Sequence, residues 1–194
     1  MDPSGPGNSA GRDPFGLDSA EGDLLSQLFS EAAAPLGIDG AGVYAALRAG
    51  RTLGEALGFP ADLTDVLYLR AHTWFTAGRP DRAGPLFRAL CALDGRCADH
   101  WVGHGVCLTL SGAEDEAEIA FATAAALRSD WAVPHFHAAG LAIARGRWEA
   151  ARAHLGAFRG RQDPGLPDTM LREAGRLEAA ITRRSPATPV RAAR

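Results

Sequence analysis

Slid against itself by 34 residues, the chain meets a related copy of itself twice over, with no gap needed. The three copies are "LYLRAHTWFTAGRPDRAGPLFRALCALD" from Leu67, "WVGHGVCLTLSGAEDEAEIAFATAAALR" from Trp101 and "HFHAAGLAIARGRWEAARAHLGAFRGRQ" from His135. Small residues coincide at Ala71, Gly105 and Ala139, and glycines at Gly78, Gly112 and Gly146. Alanines coincide at Ala83, Ala117 and Ala151, and large apolar residues at Phe87, Phe121 and Leu155. A repeat of this length is one supersecondary unit that cannot bury its own apolar face, so stacking on its neighbours has to complete the core.

Each unit reads as two antiparallel helices, A and B. The small residue in A and the alanine in B let the two backbones approach closely. The glycine ends helix A, where a residue without Cβ takes the left-handed turn at no steric cost. The large residue in B fills the gap to the next unit. Small, glycine, alanine and large apolar positions in this order are the tetratricopeptide pattern. The bulk composition agrees: 46% of residues are hydrophobic, and alanine leads that fraction while Val, Ile and Tyr are scarce, which favours helix over strand. The fold class expected is therefore all-α, a tetratricopeptide superhelix of three helix-turn-helix repeats over 61–163, at about 64–97, 98–131 and 132–163.

The flanks follow from local signals. Residues 1–20 are rich in Gly, Pro, Ser and Asp, and read as a disordered tail. The region 21–60 reads as helical, opening at "DLLSQLFSEAA" with Asp23 as cap and Leu24, Leu25, Leu28 and Phe29 at helical spacing. A second helix is expected over "DGAGVYAALRAGRTLGEALGF", with Val43, Leu47, Leu53 and Leu57 apolar, although Gly50 and Gly54 weaken it. Asp62 or Thr64 would cap the first repeat helix. Beyond the repeats, 164–184 reads as a capping helix with Asp168 at its N-cap and Met170, Leu171, Leu177 and Ile181 as its apolar face. "SPATPVRAAR", 185–194, reads as a loose basic tail.

Several functions are argued against. A net charge of −3 gives no basic field for nucleic acid or anionic lipid. The N-terminus has no secretory h-region, and no apolar run is long enough to span a bilayer. Cys91, Cys97 and Cys107 fit reduced thiols in a cytosol. No phosphate-binding loop, dinucleotide fingerprint, nucleophile elbow or HExxH occurs. Cys97, His100, His104 and Cys107 have one metal-like spacing, the two histidines at i, i+4, but Cys97 falls in a turn and Cys107 points away from the line of His104. The stretch Leu86–Gly105 reads as the seam between two repeats, with no metal and no catalytic group.

That seam resembles a known family. "FRALCALDGRCADHWVGHGVC", followed at repeat spacing by "VPHFHAAGLAIARG", is similar to the class II chaperones of bacterial type III secretion. The matching positions are Phe87, Leu90, Cys91, Leu93 and Asp94; Gly103, Gly105 and Cys107; and Pro134, Phe136, His137, Ala138 and Ala139. This chain departs from the family pattern at His104, Val106, Gly140, Leu141 and Pro80. The resemblance covers roughly residues 45–160 and implies a bacterial cytoplasmic chaperone that binds hydrophobic translocator proteins. It implies no cofactor, no enzymatic step, no direct nucleic-acid contact and no membrane insertion.

In such a scaffold the A helices line the groove. The repeat frame assigns Tyr68, His72, Phe75 and Thr76 to it from the first repeat, and Val102, Val106, Thr109 and Leu110 from the second. The third gives Val133, Phe136, Gly140 and Ile143. This largely apolar lining suits an extended peptide with two or three apolar anchors. Leu24, Leu25, Leu28 and Phe29 would form either a homodimer face, as the resemblance implies, or a folded-back cap. Two alternatives stay open: a general tetratricopeptide adaptor in another bacterial assembly, and a co-regulator that partners a transcription activator.

Overall fold

The computed structural model describes residues 15–161, 163 and 165–184. The described residues hold ten α-helices and no strand. They form two compact units, one up to Thr64 together with Ala92–Asp94, the other Asp65–Cys91 together with Gly95 onward. Residues 1–14 of the expected disordered tail, and the basic tail 185–194, lie outside the described residues.

The first unit contains α1 (Ser19–Ala33), a short 3-10 turn (Ala34–Leu36), α2 (Gly40–Arg48) and α3 (Leu53–Ala56). Helix α1 starts four residues before the expected Asp23. Asp18 is the cap: its carboxylate accepts from the Glu21 N–H, and Glu21 accepts from the Asp18 N–H in return. This reciprocal box satisfies two otherwise orphaned donors, which Asp23 cannot do from inside the helix. The single second helix expected over 39–59 is in fact two. Gly50 turns left-handed at φ 78°, and Thr52 and Glu55 form a fresh capping box that starts α3. Helix α1 packs on α2 at Gly40, where an added Cβ would run into the Phe29 backbone, and at Gly22, where one would meet the Arg48 guanidinium at 3.3 Å. Tyr44 is buried there, its ring 5.3 Å from that of Phe29.

The second unit carries α4 (Leu63–Thr76), α5 (Pro80–Leu93), α6 (Ala98–Ser111), α7 (Glu114–Leu127), α8 (Val133–Ala144), α9 (Trp148–Arg159) and α10 (Asp168–Arg184). The 34-residue frame reappears as burial. Ala71 and Ala139 are wholly buried and Gly105 is buried, as are Ala83, Ala117 and Ala151. Phe87, Phe121 and Leu155 are all under 5% exposed, at 4%, 2% and 3%. The A helices end alike. Gly78, Gly112 and Gly146 sit at φ 71°, 82° and 69°. In each turn the N–H of the next residue reaches back five positions: Arg79 to Trp74, Ala113 to Leu108 and Arg147 to Ala142, at 2.9, 3.0 and 2.8 Å. This double turn satisfies the last carbonyls and sets the B helix antiparallel to its partner.

Helix α10 packs on α8 and α9, with Met170, Ala174, Leu177 and Ile181 in the same apolar cluster as Leu155 and Phe158. Two expectations change here. Leu171 is half-turned to solvent, and Ala174 takes its place, because 170, 174, 177 and 181 share one stripe at 3.6 residues per turn. Asp168 is the first helical residue, not the cap; the Pro167 carbonyl takes the first bonds from Met170 and Leu171.

Candidate binding groove

The A helices α4, α6 and α8 present two adjoining hollows. The first has a volume of about 230 Å³ and is walled by Tyr68, His72 and Phe75 of α4, Phe87 of α5, Val102 and Val106 of α6, and Trp131 and His137. The second, about 170 Å³, is walled by Val106, Thr109, Leu110, Phe121, Phe136, Gly140 and Leu177. Val106 and His137 border both, so they form the partition between them.

Nine of the twelve residues assigned from the repeat frame line these hollows: Tyr68, His72, Phe75, Val102 and Val106 in the first, and Val106, Thr109, Leu110, Phe136 and Gly140 in the second. Three do not. The Thr76 hydroxyl turns back to its own helix, donating to the His72 carbonyl at 3.0 Å. Val133 packs with Val102 and Trp131 in a core cluster. Ile143 packs into the cluster beneath α10. The frame missed Phe87, Phe121, Asp99, Gly103, Trp131, His137, Leu141 and Leu177. Of these, Phe87 and Phe121 stand in the repeat frame as the large B-helix residues that fill the gap between units, and the hollows show that they line the groove as well.

Two glycines make the lining possible. An added Cβ on Gly103 would run into the Phe87 ring, and one on Gly105 would stand 2.6 Å from Phe121 Cε1. Both rings therefore press against α6 where it carries no side chain, and each lines one of the hollows. Tyr68 packs edge-on to Phe87 with centroids 5.9 Å apart, and its ring lies 6.1 Å from that of buried His100. Burial pushes the Tyr68 phenol above its ordinary value, with the nearby Asp99 carboxylate adding to the effect and Cys97 a lesser cause. His137 stacks on Phe121 at 5.6 Å and 16°, and burial pushes its imidazole down to about 4. It is a neutral partition at pH 7 and puts no charge into an apolar groove. At the rim, Arg128 donates to Asp99 at 3.2 Å and stands 3.5 Å over the Trp131 ring, fixing both against the first hollow.

The thiols and histidines of the seam do other work. Cys91 and Cys107 are buried, and desolvation pushes them up to about 12 and 11, far from thiolate reactivity. His100 faces the Tyr68 ring, while His104 borders a separate groove beside Arg88. Among the described residues, no three His, Cys, Asp or Glu side chains gather as a metal site. No helix among them is long and apolar enough to cross a membrane.

No protein-family model matches the chain. Among curated proteins, the chaperone SicA of Salmonella typhimurium is 36% identical over 61 residues, which is 31% of this chain and 37% of SicA. The aligned part thus spans little over a third of that relative. Among solved structures, the Yersinia enterocolitica type III secretion translocator chaperone SycD superposes with a TM-score of 0.61 at 25% identity, covering 66% of this chain and 97% of SycD. PcrH, solved in complex with the chaperone binding region of PopD, gives a TM-score of 0.61 at 26% identity, covering 66% of this chain and 96% of PcrH. The 34-residue helix pairs, the LCxLD and FHAA seams and these likenesses agree: in sequence and in fold the chain is similar to the tetratricopeptide-type translocator chaperones of type III secretion.

Proposed function

We propose that this protein is a bacterial cytoplasmic chaperone that holds a hydrophobic translocator by an extended segment laid along the α4–α6–α8 groove. The observation that carries this reading is the pair of adjoining apolar hollows divided by Val106 and His137, on a scaffold whose relative PcrH was solved with a client's binding region. Two leucine-sized anchors contribute roughly 3–6 kcal/mol before ordering costs, while a micromolar complex needs about 8. Backbone hydrogen bonds or a third contact must supply the rest. Tyr68, His72 and Asp99 in the first hollow offer polar partners for that role. Binding masks apolar sequence until export; no bond is made or broken. We read 21–60 as a separate helical region whose exposed Leu24, Leu28 and Phe29, with Leu25 half-buried beside them, serve self-association into a homodimer.

The test is co-expression with each candidate translocator, native against a Tyr68→Glu, Phe136→Glu double variant shown to be folded by circular dichroism. A translocator soluble only with the native chain supports the reading. Equal retention by the variant removes the groove from it, and retention of no translocator leaves a general adaptor. Sedimentation of Leu24→Lys, Leu28→Lys against the native chain tests self-association; an unchanged mass removes the α1 face from it.

A further inference from the structure

A third groove, between α5 and α6, has a volume of about 360 Å³ and shares only Leu110 with the binding hollows. The repeat frame explains why it is open. One repeat on, the corresponding space between α7 and α8 is filled by Arg145, which pairs with Asp115 at 2.7 Å, Glu118 at 3.4 Å and Glu114 at 3.6 Å. Thirty-four residues earlier, Arg145 becomes Ser111, and Glu114, Asp115 and Glu118 become Pro80, Asp81 and Gly84. The plug and two of its three carboxylates are absent. The remaining Asp81 is taken by Arg79, which donates to it at 3.0 and 2.7 Å.

The open groove is apolar along Pro80, Pro85, Leu108 and Leu110, and Leu110 is 61% exposed. Two polar features point to a partner. Every other arginine between Asp65 and Arg161 among the described residues has a carboxylate, carbonyl, ring or other partner. Arg88 in the groove wall has none. His104 Nδ1, in the same wall, is buried without a hydrogen-bond partner.

We propose that the α5–α6 groove is a second docking surface for an acidic, leucine-type segment of another protein. Its carboxylate pairs with Arg88 and its apolar side chain lies along Pro80, Pro85, Leu108 and Leu110. Charge selects this occupant: Asp81 is already neutralised by Arg79, so the free charge facing a partner is the Arg88 guanidinium. The inference does not depend on which client fills the other groove.

The experiment is NMR titration of the full, isotope-labelled chain with the peptide acetyl-Leu-Asp-Leu-Glu-amide, and with the same peptide carrying lysines in place of its acids. Saturable shifts at Arg88, His104 and Leu108, which line this groove and neither of the others, are expected in the millimolar range, as fits one buried side chain and one exposed ion pair. Arg88→Glu should weaken them at least about tenfold, the size of one lost contact. Gly84→Glu should do the same by placing a carboxylate one helical turn before Arg88; an added Cβ there meets only Cys107 Cβ at 3.5 Å, an ordinary contact, so the fold is kept. Equal binding of the lysine peptide, undiminished binding by Gly84→Glu, shifts confined to the Tyr68–Phe136 groove, or no saturable shift would each overturn the proposal.

Discussion

Gly105 and Phe121 are fitted to one another: an added Cβ on the glycine would stand 2.6 Å from Cε1 of the ring. The ring is 2% exposed and has His137 stacked on it, so it has little room to retreat. Gly105→Ala should therefore lower stability by about 1–3 kcal/mol, the usual cost of overpacking. Chemical denaturation reads this directly. Phe121→Leu in the same background should recover part of the loss, and a Gly105→Ala chain as stable as the native one would refute the close packing.

The helix-ending glycines give a second, contrasted pair. Gly112 sits at φ 82°, so Gly112→Ala should cost about 1 kcal/mol through the left-handed backbone alone. Gly156 lies inside α9 with nothing within 4 Å of an added Cβ, so Gly156→Ala should stabilise by about 0.5–1 kcal/mol. Opposite signs in thermal melts are the expected outcome.

Between the repeats, Arg147 donates two hydrogen bonds to Glu118, at 3.0 and 2.7 Å. The side chains are 40% and 43% exposed, so solvent screening limits the pair to at most about 1 kcal/mol. Glu118→Ala should cost about that much, and much less in an Arg147→Ala background. A double-mutant cycle at low and high salt measures the coupling, which should fade as salt rises.

Acid should loosen the third repeat. Burial holds His137 at about 4, and His135 is also held at about 4 by burial, Arg161 and His154. His154 is lowered by burial, with Glu118 opposing and Arg147 adding. The His135 and His154 Nδ1 atoms lie 3.4 Å apart, close enough for one shared proton but not two. The unfolded chain takes up protons near the ordinary 6.5, while the folded chain resists until about 4. Stability is therefore complete above about 6.5 and falls as pH drops towards 4, by up to roughly 3 kcal/mol for His137 alone. Denaturation midpoints at pH 7.5, 6 and 5 should decline, and His137→Phe should flatten the slope.

The repeat core was legible because a gapless period aligns like with like: Ala71, Gly105 and Ala139, or Phe87, Phe121 and Leu155, are identified by comparison within the chain itself. The groove was legible only for side chains standing on A helices. Trp131 comes from the approach to α8 and Leu177 from α10, so no A-helix frame contains them. The start of α1 was readable in "DSAE", as an acid three residues ahead of Glu21, but the apolar run beginning at Leu24 drew the boundary inward. The break between α2 and α3 needed Gly50 and the Thr52–Glu55 box to be weighed together, since each glycine alone is tolerated in a helix.

Helix α10 also imposes an order on synthesis. Leu155 and Phe158 leave the ribosome before the residues that cover them, Ala174 and Ile181. At ordinary elongation rates that interval is on the order of seconds. For that time the nascent chain carries an open apolar face of the kind a chaperone exists to mask. The nascent chain is then, briefly, itself in need of cover, and Asp168–Arg184 is the segment that supplies it.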